Sequence, residues 1–108
     1  MYEYKAIITN VVDGDTVDAV IDVGFKMTTT QRLRLLGVDT AELTSKDLIE
    51  RAKAQEAKLY VMEQLLGKSV LIKTEKADSF GRYLATISIN GLNFNQSLLD
   101  KGLATPYK

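Results

Sequence analysis

The sequence predicts a mainly β fold with α-helices, in which five strands close into a small barrel, one helix lies between strands three and four, and a short helix is C-terminal. Three observations lead to this prediction. Strand-like segments alternate in polarity between turn residues, one segment changes to helical spacing, and no repeat, linker or composition shift divides the chain. Because 108 residues suit one hydrophobic core, residues 1–108 are expected to form a single domain.

The first two strands are predicted to form a hairpin. The segment YKAIITNVV, from Tyr4 to Val12, is rich in β-branched residues and stops at Asp13 and Gly14, a strong turn signal. The following segment, TVDAVIDVG, places these apolar residues on one side of a second strand: Val17, Ala19, Ile21 and Val23.

The third strand candidate is TTTQRLRLLGV, residues 28–38. Alternation places Leu33 and Leu35 on one face and Arg32 and Arg34 on the other, so Arg34 should face away from the two leucines. An arginine on a strand face is commonly solvated or salt-bridged, and position alone indicates no site. We interpret Arg32 as a surface or phosphate-steering charge.

A helix is predicted from about Asp47 to Leu66, where the apolar spacing lengthens to three and four. Its apolar positions are Ala54, Ala57, Val61 and Leu65. Gly67 stands where a C-terminal cap belongs, and the Lys and Glu residues between the apolar positions are expected to form a solvated face.

Two further strands and a short helix complete the predicted order. The segments KSVLIKTE and RYLATISIN have strand character, and NFNQSLLDKG predicts a helix with an Asn cap and a terminal Gly102. Three strands, a helix, two strands and a helix is the element order of an OB-fold, a barrel whose concave face commonly binds oligonucleotides. This order alone does not establish a function.

Composition excludes several kinds of site. The chain has no cysteine, so it has no disulfide framework, thiol nucleophile or thiolate metal site. It has no histidine either, which excludes a Ser-His-Asp triad and makes zinc a poor candidate. Any metal is expected to bind among oxygen atoms.

Charge and hydropathy limit the partners and the location. The 14 basic and 14 acidic side chains cancel, so affinity for nucleic acid must come from a local patch or a bound cation. No apolar stretch approaches the roughly 18 residues of a membrane span, and the first residues lack a signal-peptide pattern. We expect a cytoplasmic, monomeric protein as the chain is written, although secretion from a longer precursor remains possible.

Three short segments carry residues suited to chemistry: DGDT at 13–16, RLLGVDTAE at 34–42, and DSFGR at 78–82. Together and in this order they resemble the staphylococcal nuclease (thermonuclease) family. The resemblance extends through the helix, the strand YLATISING and the closing NQSLLDKGLA. It implies a calcium-dependent phosphodiesterase on an OB barrel that acts on DNA and RNA. Taken singly, Asp13-Gly14 and DSFGR would be read as turns.

The resemblance also implies a metal site and a residue for the attacking water. Asp15 and Asp39 would bind Ca²⁺ through their carboxylates, and Thr40 would contribute its backbone carbonyl. Glu42 would lie beside the metal and handle the water. The residue chemistry agrees, because calcium prefers several hard oxygen ligands and water near pH 7 needs a metal or a carboxylate to activate it.

The same resemblance implies that Arg34 and Arg82 hold the target phosphate and that Tyr107 contacts the substrate. A guanidinium can bind two equatorial phosphate oxygens where an ammonium offers a point charge. Such contacts read phosphate and not bases, so little sequence preference and a preference for single strands are expected.

Two departures from the family pattern are visible. Ala41 stands where the family typically has proline, which should loosen the turn that aims Glu42 and slow the chemistry. Phe80 replaces a tyrosine of the DSFGR loop, which removes a hydroxyl that could contact phosphate.

The alternative function is a non-catalytic OB-fold module of this family that binds nucleic acid or protein. A scaffold would be expected to lack one or more of the implied site residues. All five are present, which favours the enzyme: Asp15, Arg34, Asp39, Glu42 and Arg82.

Overall fold

Five long strands and two helices form the molecule in a computed structural model that describes residues 2–77 and 83–107. In chain order the elements are β1 (Tyr2–Asp13), β2 (Thr16–Gly24), β3 (Met27–Leu35), β4 (Val38–Asp39), α1 (Leu48–Leu65), β5 (Ser69–Ala77), β6 (Tyr83–Ile89), β7 (Leu92–Asn93), α2 (Phe94–Asp100) and β8 (Thr105–Pro106).

The five long strands close into a barrel, as the OB-fold prediction requires. β1 pairs antiparallel with β2 and β5, β2 pairs with β3, and β5 pairs with β6. Parallel pairing of Leu33–Leu35 in β3 with Tyr83–Ala85 in β6 completes the ring. The predicted fold class is confirmed, including the position of α1 between the third and fourth barrel strands.

The third strand ends earlier than the sequence pattern suggested. β3 stops at Leu35, because Gly37 adopts a positive φ of 80° and turns the chain. Val38 and Asp39 then form the short β4, which pairs with β8 in a separate two-stranded sheet. Alternation cannot reveal strands of two residues, so this sheet was not predicted.

The barrel interior is the hydrophobic core. On β2 the predicted face is buried at Val17, Ala19 and Ile21, whereas Val23 near the end of the hairpin is 43% exposed. The predicted apolar face of α1 packs against the barrel, and all four of its residues are buried: Ala54, Ala57, Val61 and Leu65. The helix therefore covers one side of the barrel with the residues that its spacing indicated.

Both helices begin and end as the sequence predicts. The Asp47 side chain accepts a hydrogen bond from the Ile49 amide at the start of α1, and Asn93 does the same for Gln96 in α2. Gly67, with a φ of 75°, follows α1 and donates its amide to the Ile8 carbonyl of β1 at 2.7 Å. Of the helices described here, none is long and apolar enough to cross a membrane.

Candidate functional site

Three separate pieces of the chain meet at one end of the barrel. Asp15 lies in the β1–β2 turn, Arg34 lies near the end of β3, and Asp39 belongs to β4. The strand register brings the first two together, because Thr16 pairs with Arg34 and the Leu35 amide donates to the Asp15 carbonyl at 2.8 Å. Asp15 and Arg34, 19 positions apart in sequence, therefore share one small volume.

Two carboxylates converge on the guanidinium of Arg34. Nη1 lies 3.0 Å from Oδ2 of Asp15, and Nη2 lies 3.5 Å from Oδ1 of Asp39. Asp15 and Arg34 are each 9% exposed, whereas the Asp39 side chain is 52% exposed. The contact between Nη1 of Arg34 and Oδ2 of Asp15 is at ion-pair distance but does not have the geometry of a hydrogen bond. Nη1 therefore has no hydrogen-bond acceptor among the described residues. Arg34 thus faces away from Leu33 and Leu35, as predicted, yet it is buried.

Asp15 is held by hydrogen bonds on both carboxylate oxygens. The Thr40 amide donates to Oδ2 at 3.3 Å, and the Thr16 hydroxyl donates to Oδ1 at 3.1 Å. Thr40 is itself buried, so the backbone after β4 lies directly against Asp15. These hydrogen bonds hold the Asp15 carboxylate, a predicted metal ligand, next to Thr40. The backbone carbonyl of Thr40 is another predicted ligand of the same metal.

Gly14 permits this close packing. A Cβ atom at Gly14 would lie 2.8 Å from Cβ of Ala57 in α1 and 2.9 Å from Cγ2 of Thr40. The absent side chain allows the β1–β2 turn to lie against both the helix and the segment after β4. Gly14 is required because a larger side chain would not fit between Ala57 and Thr40. The turn that contains Gly14 places Asp15 in the site.

Asp13 forms an acidic pair with Asp15. The Asp15 amide donates to Oδ1 of Asp13 at 3.2 Å. Burial, together with the hydrogen bond and negative charge of Asp15, raises the pKa of Asp13 to about 6. Burial also acts to raise the pKa of Asp15, but the Asp13 hydrogen bond, the Arg34 charge and the Thr40 amide outweigh it and lower that pKa. Asp15 therefore stays ionised, and its neighbour takes up a proton more readily.

Glu42 lies on an open cleft beside this cluster. The cleft, of about 480 Å³, is lined by Asp39, Thr40, Ala41, Glu42, Glu50, Lys53, Glu56, Lys101, Gly102, Leu103, Ala104 and Thr105. Glu42 is exposed, and its side chain forms no ion pair with another described residue. The carboxylate is thus accessible to water in the cleft that Asp39 and Thr40 also line.

The aromatic ring of Tyr107 lies over the guanidinium of Arg34. Pairing of β8 with β4 carries the chain back to the site, where the Tyr107 amide donates to the Gly37 carbonyl at 3.0 Å. The Cζ atom of Arg34 lies 5.0 Å from the centre of the Tyr107 ring, within cation–π distance. Tyr107 as a whole remains 58% exposed, so it can contact a ligand as well as the guanidinium.

Comparison with known proteins assigns the family. Residues 32–108 match the family described as staphylococcal nuclease homologue. The chain belongs to the staphylococcal nuclease homologue family.

Members of this family that resemble the chain include two thermonucleases. That of Staphylococcus hyicus is 33% identical over 103 residues, covering 94% of this chain and 57% of that protein. That of Staphylococcus intermedius is 31% identical over 100 residues, 91% of this chain and 56% of that protein. An uncharacterized protein of Bacillus anthracis is 34% identical over 101 residues, 91% of this chain and 45% of that protein. The chain spans about half the length of these relatives.

The third family segment, DSFGR, lies outside the described residues. Arg82, expected to bind phosphate, and Phe80 both belong to residues 78–82, which the structure does not describe. Tyr83, the next residue, pairs with Leu33 beside Arg34. The role of Arg82 therefore stays a prediction, as do the roles of the site residues whose positions are known.

The donor set at this site suits a hard cation. Asp15 and Asp39 both contact the Arg34 guanidinium, which places the two carboxylates at the same end of the barrel. Within residues 2–77 and 83–107, no three acidic side chains come close enough to form a complete metal cluster. Two carboxylates, the Thr40 carbonyl and water molecules would make an oxygen-only set, which calcium accepts.

Two features of the site were not predicted from the sequence. Asp13 was assigned to the hairpin turn, although the DGD spacing places two acids two residues apart. Lys53 and Lys101 were not singled out, yet they line the cleft with Glu42. Charges on an amphipathic helix usually face solvent, and no pattern in the sequence distinguishes the few that border a site.

Proposed function

We propose that this chain is a calcium-dependent nuclease that hydrolyses phosphodiester bonds of DNA and RNA with little sequence preference. The observation that carries the proposal is the convergence of Asp15 and Asp39 on the Arg34 guanidinium. Two acids and a phosphate-binding cation at one point are what metal-assisted ester hydrolysis needs. The thermonuclease relatives support this reaction class.

Asp15, Asp39 and the Thr40 carbonyl would hold the metal. When bound, calcium supplies positive charge that acidifies water and polarises the phosphate. Asp15 is prepared for this role because its pKa is lowered and its carboxylate is fixed by Thr16 and Thr40. Asp39 is half exposed, so it can turn toward a ligand at little cost.

Glu42 would act as the general base toward the attacking water. Its exposure to the cleft suits a carboxylate that must exchange protons with solvent, and Asp39 and Thr40 line the same cleft. Ala41 gives the backbone before Glu42 more freedom than a proline would, so a slower reaction than in family members with proline is expected.

Arg34 would hold the scissile phosphate, with Arg82 as a second clamp. To do so, Arg34 must exchange at least one carboxylate contact for phosphate oxygens, and its forked guanidinium can bind two of them. Tyr107, stacked on Arg34 and still exposed, would contact the substrate next to that phosphate. Because such contacts read the backbone, a flexible single strand is the preferred substrate for a monomeric chain.

The test is cleavage of a labelled single-stranded oligonucleotide with calcium or with a chelator. We expect cleavage with calcium alone, and a loss of about 10²- to 10⁴-fold in the Glu42→Gln variant, since a general base typically contributes that much. Glu63→Gln is the matched control, because Glu63 is an exposed acid of α1 that does not line the Glu42 cleft.

Equal activity in chelator and in calcium would contradict the metal requirement. A chain that binds the oligonucleotide but never cuts it would instead support the alternative, a non-catalytic OB-fold module that binds nucleic acid or protein.

A further inference from the structure

Arg32 lies two residues before Arg34 on the same outer face of β3. It pairs across the sheet with Asp18 of β2, as Arg34 pairs with Thr16. Two residues of a strand advance about 6.6 Å, so the two side chains start one such step apart. The two arginines therefore form a short row that begins at the candidate site.

The two arginines differ in how open they are to a ligand. Arg34 is buried beside two carboxylates and beneath the Tyr107 ring. The Arg32 side chain is 54% exposed. Among the described residues, β2 alone flanks β3 from Met27 to Arg32, so no other strand covers that edge. Of these two guanidiniums, Arg32 is the one that an anion can reach without displacing a buried group.

A cross-strand network fixes the orientation of Arg32. Its Nε and Nη2 atoms donate to Oδ1 and Oδ2 of Asp18 at 2.9 and 3.3 Å. Asn10 of β1 donates to Oδ2 of the same carboxylate at 3.2 Å. A guanidinium carries five N–H donors. The bonds to Asp18 use the edge formed by Nε and Nη2. In the described part of the chain, Nη1 has no hydrogen-bond acceptor.

We propose that Arg32 binds the phosphate adjacent to the one held at Arg34, so that β3 contacts two successive phosphates of a single strand. Six covalent bonds join successive phosphorus atoms of a nucleic-acid strand, so an extended strand can span the two-residue step of a β-strand, about 6.6 Å. The inference rests on the proposed function, because it takes the Arg34 end of β3 as the reacting position.

Charge complementarity favours this occupant. The chain has no net charge, so strand binding depends on individual cations in the right place. An exposed arginine–aspartate pair contributes little stability, and its remaining donors can bind a phosphate bidentately without breaking the pair. Asp18 serves to hold the guanidinium in position and is not itself a contact.

The experiment measures binding of a fluorescent twelve-nucleotide oligothymidylate by anisotropy, in calcium and across a range of salt. Every protein carries Glu42→Gln so that the probe is not cut. We expect Arg32→Gln to weaken binding roughly 5- to 20-fold and to reduce the slope of log K against log salt by about 0.7, the loss of one phosphate contact on a single strand. Arg32→Lys should restore most of the slope but not all of the affinity.

Lys73 and Glu3 provide the matched control. They form a comparable exposed cross-strand ion pair, 3.9 Å apart, between β1 and β5. Lys73→Gln removes the same charge as Arg32→Gln and should leave the slope unchanged. Asp18→Asn retains an amide oxygen that can accept from Arg32 and removes a negative charge next to the phosphate, so this variant should bind the probe as tightly as the parent chain or more tightly.

The outcomes separate this inference from the proposed function. Equal slopes in Arg32→Gln and Lys73→Gln, or weakening by Asp18→Asn as large as that by Arg32→Gln, would overturn the second phosphate site alone. The latter result would indicate a structural ion pair. If the parent chain binds no oligonucleotide at all, both the proposed function and this inference are wrong.

Discussion

Gly14 shows how one missing side chain positions a site. Its φ lies outside the left-handed region, so the glycine is required by its neighbours and not by its backbone conformation. The atoms that a Cβ would meet belong to Ala57 and Thr40, on two different elements. A substitution here would therefore move the turn that holds Asp15 as well as the packing of α1.

We predict that Gly14→Ala lowers the free energy of unfolding by about 1 to 3 kcal/mol, the usual cost of overpacking. Urea denaturation measures it. In a double-mutant cycle with Ala57→Gly, the second substitution should recover part of the loss, because it removes the atom 2.8 Å from the added Cβ. Additive effects of the two substitutions would contradict a clash at this contact.

The Asp18–Arg32 pair predicts a pH dependence. Hydrogen bonding to Arg32 is the main cause of a lowered pKa for Asp18, below its ordinary value of 3.8. A carboxyl with a lower pKa when folded contributes stability above its unfolded pKa and loses it as pH falls through the folded one. The wild-type chain should be slightly more stable than Asp18→Asn at pH 7.

This difference should shrink as the pH falls below about 3.8 and vanish once Asp18 is protonated. Thermal unfolding from pH 7 to pH 2.5 measures it. A difference that stays constant over this range would show that the charge of Asp18 contributes nothing to stability.

At the scale of elements, Asn95 joins α2 to the barrel and to the turn before β4. The buried side chain accepts a hydrogen bond from the Ile87 amide at 3.1 Å and donates to the Leu36 and Ala85 carbonyls at 2.9 and 3.0 Å. The bond to the Leu36 carbonyl ties the backbone just ahead of Asp39 to α2, and the other two bonds tie α2 to β6. The helix thus supports the site without contributing a side chain to it.

We expect Asn95→Ala to reduce the free energy of unfolding by about 2 to 4 kcal/mol, because it leaves buried backbone groups without partners. The matched control is Gln96→Ala, which removes an exposed hydrogen bond to Asp100 and should cost less than about 0.5 kcal/mol. Denaturation of both variants under one set of conditions tests the difference. Similar losses in the two would refute the bridging role of Asn95.

The long strands and helices could be predicted because burial of one face gives each of them a regular spacing of apolar residues. The inner faces of β2 and α1 could be predicted without knowledge of the rest of the fold, since alternation marks the one and three-and-four spacing marks the other. The pairing of β4 with β8 depends instead on where Gly37 turns the chain and where α2 ends. The β2–β3 turn could not be predicted either, because Phe25 and Lys26 both take positive φ values where Asn and Gly are usual.

At the scale of the whole molecule, barrel closure creates the candidate site. The sequence indicated Asp15, Arg34 and Asp39 through a family resemblance, but their contacts depend on strand register and on β4. The burial of Arg34 could not be predicted, because alternation indicates which face a side chain occupies and not what covers that face. Tyr107 covers it only because the chain returns through β8.

A calcium ion shared by Asp15 and Asp39 would link the β1–β2 turn to β4, so the native state should gain stability from binding. We expect saturating calcium, at about ten times its Kd, to raise the melting temperature by about 5 to 10 °C. Asp39→Asn should lose most of this increase, and Glu63→Gln should keep it. An equal increase in all three proteins would place the bound calcium elsewhere.

Over the described residues, β3 meets β6 along Leu33–Leu35 alone, and Arg34 lies in the middle of that stretch. This seam is the shortest interface between neighbouring barrel strands, so it should be the first to part when the native state fluctuates. Each such opening would separate Arg34 from β6, while the β2–β3 pairing that holds Arg34 beside Asp15 stays intact. The Leu36 amide donates to the Ala85 carbonyl of β6, so its proton should exchange with solvent faster than those in the middle of β1. A ligand bridging the seam should slow this exchange.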